Sequence, residues 1–166
     1  DPRGLVWSSE SSSHDARAHR VSVAPLQDRD LAEHVTRSRI AVFVTLTPNA
    51  DEAAFRRLID QLHGAFASVA RIGVEPGTLL DPSEAARIAL DVAGHIKRLS
   101  AESDRAEVHL AFHGPFGLAV LVGRLLNTLR IVVYEWDEDA ERGPAYHPVL
   151  ALNPGTVGGP ITDVLI

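Results

Sequence analysis

An α/β fold, with a Rossmann-like and mainly parallel sheet covered by helices on both faces, is what this sequence predicts. Three observations carry that expectation. Uninterrupted β-branched runs occur, the mark of strands buried on both sides. Amphipathic stretches at helical spacing lie between them. The two kinds alternate along the chain, as crossover units do.

The ordered part begins at Arg39. Ile40-Ala41-Val42-Phe43-Val44-Thr45-Leu46 reads as a fully buried strand and breaks at Thr47-Pro48-Asn49. Asp51 and Glu52 then stand where a helix start favours anions, and Phe55, Leu58, Ile59, Leu62 and Phe66 continue the stripe. Residues 73–80 form a turn-rich connection. Asp81-Pro82-Ser83-Glu84 supplies an N-cap, a proline at the first helical position and an acid at the third. The buried stripe of that helix is Ile88, Val92, Ile96 and Leu99. Residues 107–112 alternate as a strand, with Val108, Leu110 and Phe112 on one face. His113-Gly114-Pro115-Phe116-Gly117 leads into residues 118–129, an almost wholly apolar helix expected to be largely buried. Residues 130–136 make another strand and 137–143 an acidic turn. Residues 146–152 make a last strand that returns antiparallel at an edge.

Residues 1–38 differ in character. A serine cluster at Ser8, Ser9, Ser11, Ser12 and Ser13 precedes a charge-rich stretch that reads as a linker. Leu5, Val6 and Trp7 read as the end of something apolar that docks on the body or did so in a parent protein, and Asp30–Thr36 as a helical turn or two. The two units are therefore 1–38, a linker or the tail of a preceding half-domain, and 39–166, the folded body.

Composition excludes several functions. The 166 residues carry a net charge of −6, against the surplus of Lys and Arg that a general DNA or RNA binder needs. With no cysteine there is neither a disulfide scaffold nor thiol chemistry. The longest apolar run, Phe116–Gly123, is too short for a membrane span, and no signal peptide opens the chain. A cytoplasmic domain without membrane attachment is expected. The absence of methionine reads as a piece of a longer polypeptide.

In such sheets ligands lie beyond the carboxyl ends of the strands, near the switch in strand order. Two loops qualify. Thr45, Thr47 and Asn49 follow the first strand, and His113, Gly114, Pro115 and Phe116 follow the next. Their hydroxyls, amides and glycines suit phosphates or a base edge, although the glycines and prolines would also serve merely to turn strand into helix. Tyr134 and Trp136 share a face at a strand end, Tyr134 as core and Trp136 as core or as a wall on which a base stacks. His109 and His113 lie roughly 13 Å apart on one strand, too far to share a metal. Asp137, Glu138 and Asp139 lack the spacing of a calcium loop and read as a solvated turn. No nucleophile elbow, Walker loop or three-glycine fingerprint occurs. No catalytic residue, metal or cofactor is expected.

Val108-His109-Leu110-Ala111-Phe112-His113-Gly114-Pro115, the apolar Leu118-Ala119-Val120, and Gly123-Arg124 with Leu126-Asn127 resemble the signature of the SAVED domain. Ile131–Trp136 followed by Tyr146-His147-Pro148 continues the resemblance, and Ile40–Pro48 looks like the family's earlier strand. The resemblance covers roughly residues 39–152, and it implies a CARF-like half of a sensor from antiphage systems (CBASS and type III CRISPR). Such a sensor binds a cyclic oligonucleotide, a tri- or tetra-adenylate, without cleaving it. It assembles head to tail and activates a fused or associated nuclease, TIR or protease effector. The implied ligand residues are Thr45, Thr47, Asn49, His113, Gly114 and Pro115, with Trp136 as a wall. A ring nuclease using Thr47 and His113, or a ligand-free interaction module, would be the alternatives.

Overall fold

The computed structural model describes residues 21–26, 39–48, 50–62, 65–75, 78–138 and 143–165. Its strands are β1 (Ser22–Pro25), β2 (Arg39–Thr45), β3 (Ser68–Gly73), β4 (Glu107–His113), β5 (Ile131–Asp137), β6 (Ala145–Leu152) and β7 (Ile161–Val164). The helices are α1 (Glu52–Gln61), α2 (Ala85–Glu102) and α3 (Phe116–Leu125).

The seven described strands form one sheet in the order β1-β3-β2-β4-β5-β6-β7. The α/β class is as expected, but the sheet is mixed rather than mainly parallel. The central four strands run parallel, while β1, β6 and β7 pair antiparallel at the flanks. Short connections explain the difference at the β6–β7 flank, where seven residues separate β5 from β6 and eight separate β6 from β7, too few for the crossover that a parallel neighbour needs.

From β2 the chain crosses through α1 to β3 on one side. From β3 it crosses back through α2 to β4, and then through α3 to β5. Right-handed crossovers that reverse direction must place their helices on opposite faces. Accordingly α1 packs with Ala41, Phe43, Ala111, Tyr134 and Tyr146, and α2 and α3 pack with Val42, Val44, Val108 and Ile131. Strand β2 is thus buried on both faces, from Ile40 to Thr45. The caps are local. The carboxylate of Asp51 accepts from the Ala54 amide at 2.9 Å, and that of Asp81 from the Ser83 amide at 2.8 Å, opening the 3-10 turn before α2.

Four expectations need correction. The stripe through Phe66 is not one helix, because α1 ends at Gln61 and Phe66 enters the core on the way into β3, a strand the sequence reading missed. Helix α3 is not largely buried. Leu118 and Val122 face the core, whereas Phe116 is 84% and Val120 46% exposed, because only one side meets α2 and the sheet. Strand β6 is antiparallel as expected but is not the edge, since β7 lies outside it. Ser22–Pro25 falls in the stretch read as linker, yet pairs along β3. Leu5–Trp7, the serine cluster, Asp30–Thr36, Asn49 and Asp139 lie outside the described residues.

Candidate functional site

The connections from β2 and β4 leave in opposite directions, so the carboxyl ends of these neighbours flank the switch point of the sheet, where α/β folds place ligands. Thr45 and His113 are register partners there. The pairing continues past the strands, the Leu46 amide donating to the His113 carbonyl at 2.8 Å. Gly114 makes that closeness possible, because a Cβ there would meet Leu46 Cβ at 3.0 Å and Phe112 Cε1 at 3.1 Å. This glycine serves the packing of the two loops on each other.

Strand pleating sorts the candidates by face. Thr45 lies on the α1 side with Phe43, and Arg71 pairs with Phe43. His113 is two residues past Ala111 and Trp136 two past Tyr134, and Ala111 and Tyr134 are themselves partners on that side. Thr45, Arg71, His113 and Trp136 therefore share one face at one end of the sheet. Thr45 is buried, Thr47, His113 and Gly114 are half-buried, and Pro115, Phe116 and Trp136 are exposed.

A cavity of about 90 Å³ opens between the ends of β2 and β3 and the start of α1. Thr45 and Thr47 line it, with Phe43, Glu52, Arg71 and Glu75. His113, Gly114, Pro115, Phe116 and Trp136 are not among its lining residues. The candidates thus divide between this cavity and the adjoining crevice and outer surface. Arg71 and Glu75 escaped the sequence reading because β3 did, and Glu52 was read only as an acid at a helix start. With that strand recognised, a lone arginine at its carboxyl end would have pointed to the same place.

Arg71 Nη2 donates to Thr45 Oγ1 at 3.3 Å, and Arg71 Nε lies 3.7 Å from Glu52 Oε2. Glu52 Oε1 accepts from Arg56 Nε at 3.0 Å and Nη2 at 2.8 Å.

Lower on the same face, His109 Nδ1 is 3.0 Å from the Tyr134 hydroxyl and Nε2 is 3.3 Å from Glu107 Oε1. Burial pulls the His109 pKa below its ordinary value, against the opposing pull of Glu107. A neutral ring satisfies both neighbours, accepting from Tyr134 and donating to Glu107. This network is core structure, distant from the strand ends. His109 and His113 do occupy separate environments.

The only two tyrosines, Tyr134 and Tyr146, both have raised pKa values. Burial pushes Tyr146 up to about 12, with the Asp51 carboxylate adding to the effect. Unfolded phenols ionise near pH 10, so the unfolded state loses protons first and stability falls as pH rises above about 10. Folded protein at about pH 10.5 should show less phenolate absorbance than the same protein unfolded in urea at that pH, with Tyr146 contributing almost none of it. A phenolate band as strong before unfolding as after it would mean that the rings are not packed as described.

Among the described residues no group of three or more acidic or histidine side chains could hold a metal ion. No described helix is long and apolar enough to cross a membrane.

The family model for the SMODS-associated and fused to various effectors sensor domain, SAVED, matches residues 3–152. The chain belongs to the SAVED family. Its match begins well before Arg39, so the family's pattern includes the stretch from which β1 comes. Solved structures give the same fold. The SAVED/CARF-domain containing receptor Cap4 of Acinetobacter baumannii with the cyclic trinucleotide 2'3'3'-cAAA superposes with a TM-score of 0.58 at 16% identity, over 80% of this chain and 27% of that one. The same receptor with 3'3'3'-cAAA gives 0.55 at 16% identity, over 81% and 28%. This SAVED chain thus spans about a quarter of the receptor's length. No curated protein sequence matches it significantly.

Proposed function

We propose that this SAVED chain is a non-catalytic sensor of a cyclic oligonucleotide, a tri- or tetra-adenylate, bound over the carboxyl ends of β2, β3 and β4. The observation that carries this reading is the switch point of the sheet, where the cavity lined by Thr45 and Thr47 stands beside His113 and Gly114, in a fold shared with receptors that hold cyclic trinucleotides. The cavity itself is small against the 300–1,000 Å³ usual for ligand pockets. A ring therefore sinks one group into it and lays the remainder across His113, Pro115, Phe116 and Trp136. Exposed Phe116 and Trp136 offer faces on which bases stack.

A ligand switches a protein only by binding one state better than another. In this reading the favoured state is a head-to-tail assembly, which activates a fused or associated nuclease, TIR or protease effector in the cytoplasm.

Thermal melting against cyclic di-, tri- and tetranucleotides, with linear adenylates as controls, tests the reading. Saturation at 100 times Kd stabilises by about 2.7 kcal/mol, or roughly 5–10 °C for a chain of this size. A shift for one ring, with the ring recovered intact and a rise in mass by light scattering, is the expected result. Linear product would make the chain a ring nuclease, and a flat panel would leave it an interaction module.

A further inference from the structure

We propose that Arg71 is a phosphate seat, its guanidinium gripping one phosphodiester of the ring in the cavity between the ends of β2 and β3. The proposal rests on the preceding reading for the identity of the ligand, but the chemistry of the seat is local.

Arg71 rises from β3 opposite Phe43 and reaches over Thr45. Two-thirds of its side chain is withdrawn from water, since 34% remains exposed, and its Nε is buried with no hydrogen-bond partner. The nearest carboxylate does not supply one. Glu52 Oε2 stands 3.7 Å away, beyond hydrogen-bonding range, while Glu52 Oε1 is held by two nitrogens of Arg56. Glu75 lines the cavity too, but it is exposed at the rim, where water screens it.

Arg71 is thus a cation two-thirds withdrawn from water, with an unmet Nε donor, on a side chain that lines an open space. Such a donor is costly unless an acceptor arrives. The planar fork of guanidinium matches two oxygens of a phosphodiester. A cavity of about 90 Å³ admits a group of that size and excludes a whole nucleotide. The hydroxyls of Thr47 and Thr78 line the same space and supply donors for the remaining oxygens. Thr45 becomes a positioning residue: buried to 4% exposure, it accepts from Nη2 and aims the fork.

The test follows the Nε–H resonance of Arg71 by nitrogen-15 NMR, assigned by its loss in Arg71→Lys, during titration with inorganic phosphate against matched chloride. A saturable shift of this resonance is expected, weakened three- to tenfold in Thr45→Val. Cyclic triadenylate binding should fall at least tenfold in Arg71→Gln. Arg71→Lys, which keeps the charge and loses the fork, should show a similar loss, and it stands in if the glutamine variant does not fold. An unmoved resonance overturns the seat, and so does equal ring binding by wild type and variants, which would leave the sensor reading intact. A phosphate-induced shift with no ring bound by the wild type would do the reverse, retaining the seat and removing the sensor reading.

Discussion

Phe43→Ala should lower stability by about 3–5 kcal/mol, the usual range for truncating a fully buried phenylalanine. For a chain of this length that is a fall in melting temperature of roughly 10 °C. Phe43 has no exposed surface and stacks on Phe55 with centroids 4.8 Å apart and planes 12° apart. Tyr146 stands edge-on to both rings, at 5.9 Å from Phe43 and 6.2 Å from Phe55. The consecutive elements β2 and α1 therefore meet the distant strand β6 on one side chain. Removing it leaves a void that close-packed neighbours fill only in part. Phe43→Leu keeps most of the volume and should cost no more than about 1.5 kcal/mol. Urea melts of the two variants check the argument, and near-equal midpoints for Phe43→Ala and wild type would refute it.

Gly73→Ala should be the second most damaging change, although it adds a single methyl group. A Cβ at this position would sit 2.6 Å from the Thr45 carbonyl oxygen and 3.4 Å from Thr45 Oγ1. The obstacle is backbone, so no rotamer change relieves it. Nor can β3 slide away freely, because Ser22 of β1 pairs with Gly73 from the other side. Overpacking of this kind costs about 1–3 kcal/mol. The strain falls where Arg71 reaches Thr45, so ring binding should weaken along with stability. Melting and ligand titration on the same sample check both effects. A variant as stable as wild type would mean that β2 and β3 are more widely spaced at this end than described.

The central strands were legible because burial on both faces leaves its own record. Ile40–Leu46 has no polar residue but Thr45, and such a run fits few other structures. The helix starts at Asp51 and Asp81 were legible for a similar reason, Asp81 as a cap and Asp51 as an anion at a helix start, since such signals are decided within three residues. Strand β3 was not. Ser68–Gly73 contains an arginine and three small residues, and helical spacing from Phe55 to Phe66 ran on almost to its start. The edge strands β1 and β7 are four residues each and mostly exposed, so they carry almost no periodic signal. Half of the site was lost with β3. Thr45 and His113 end strong strands and Thr47 follows one, but Arg71 is visible as a neighbour of Thr45 only after β3 is paired with β2. The exposure of one side of α3 was hidden for another reason: an apolar composition does not say how many neighbours a helix has.

The central pairing of β2 with β4 has a consequence for how the chain is made. Its partners are 68 residues apart, Arg39 against Glu107. At about 5–20 residues per second, a ribosome takes roughly 3–14 s to synthesise that interval. Throughout that time β2, the most apolar strand, has left or is leaving the exit tunnel with β3 as the sole neighbour it can acquire. Its other edge stays open, with Val42, Phe43 and Val44 along it. Nascent chains of this protein therefore pass through an obligatory interval in which their stickiest segment is unprotected, and the holding capacity of chaperones during synthesis governs how much of it reaches the folded state.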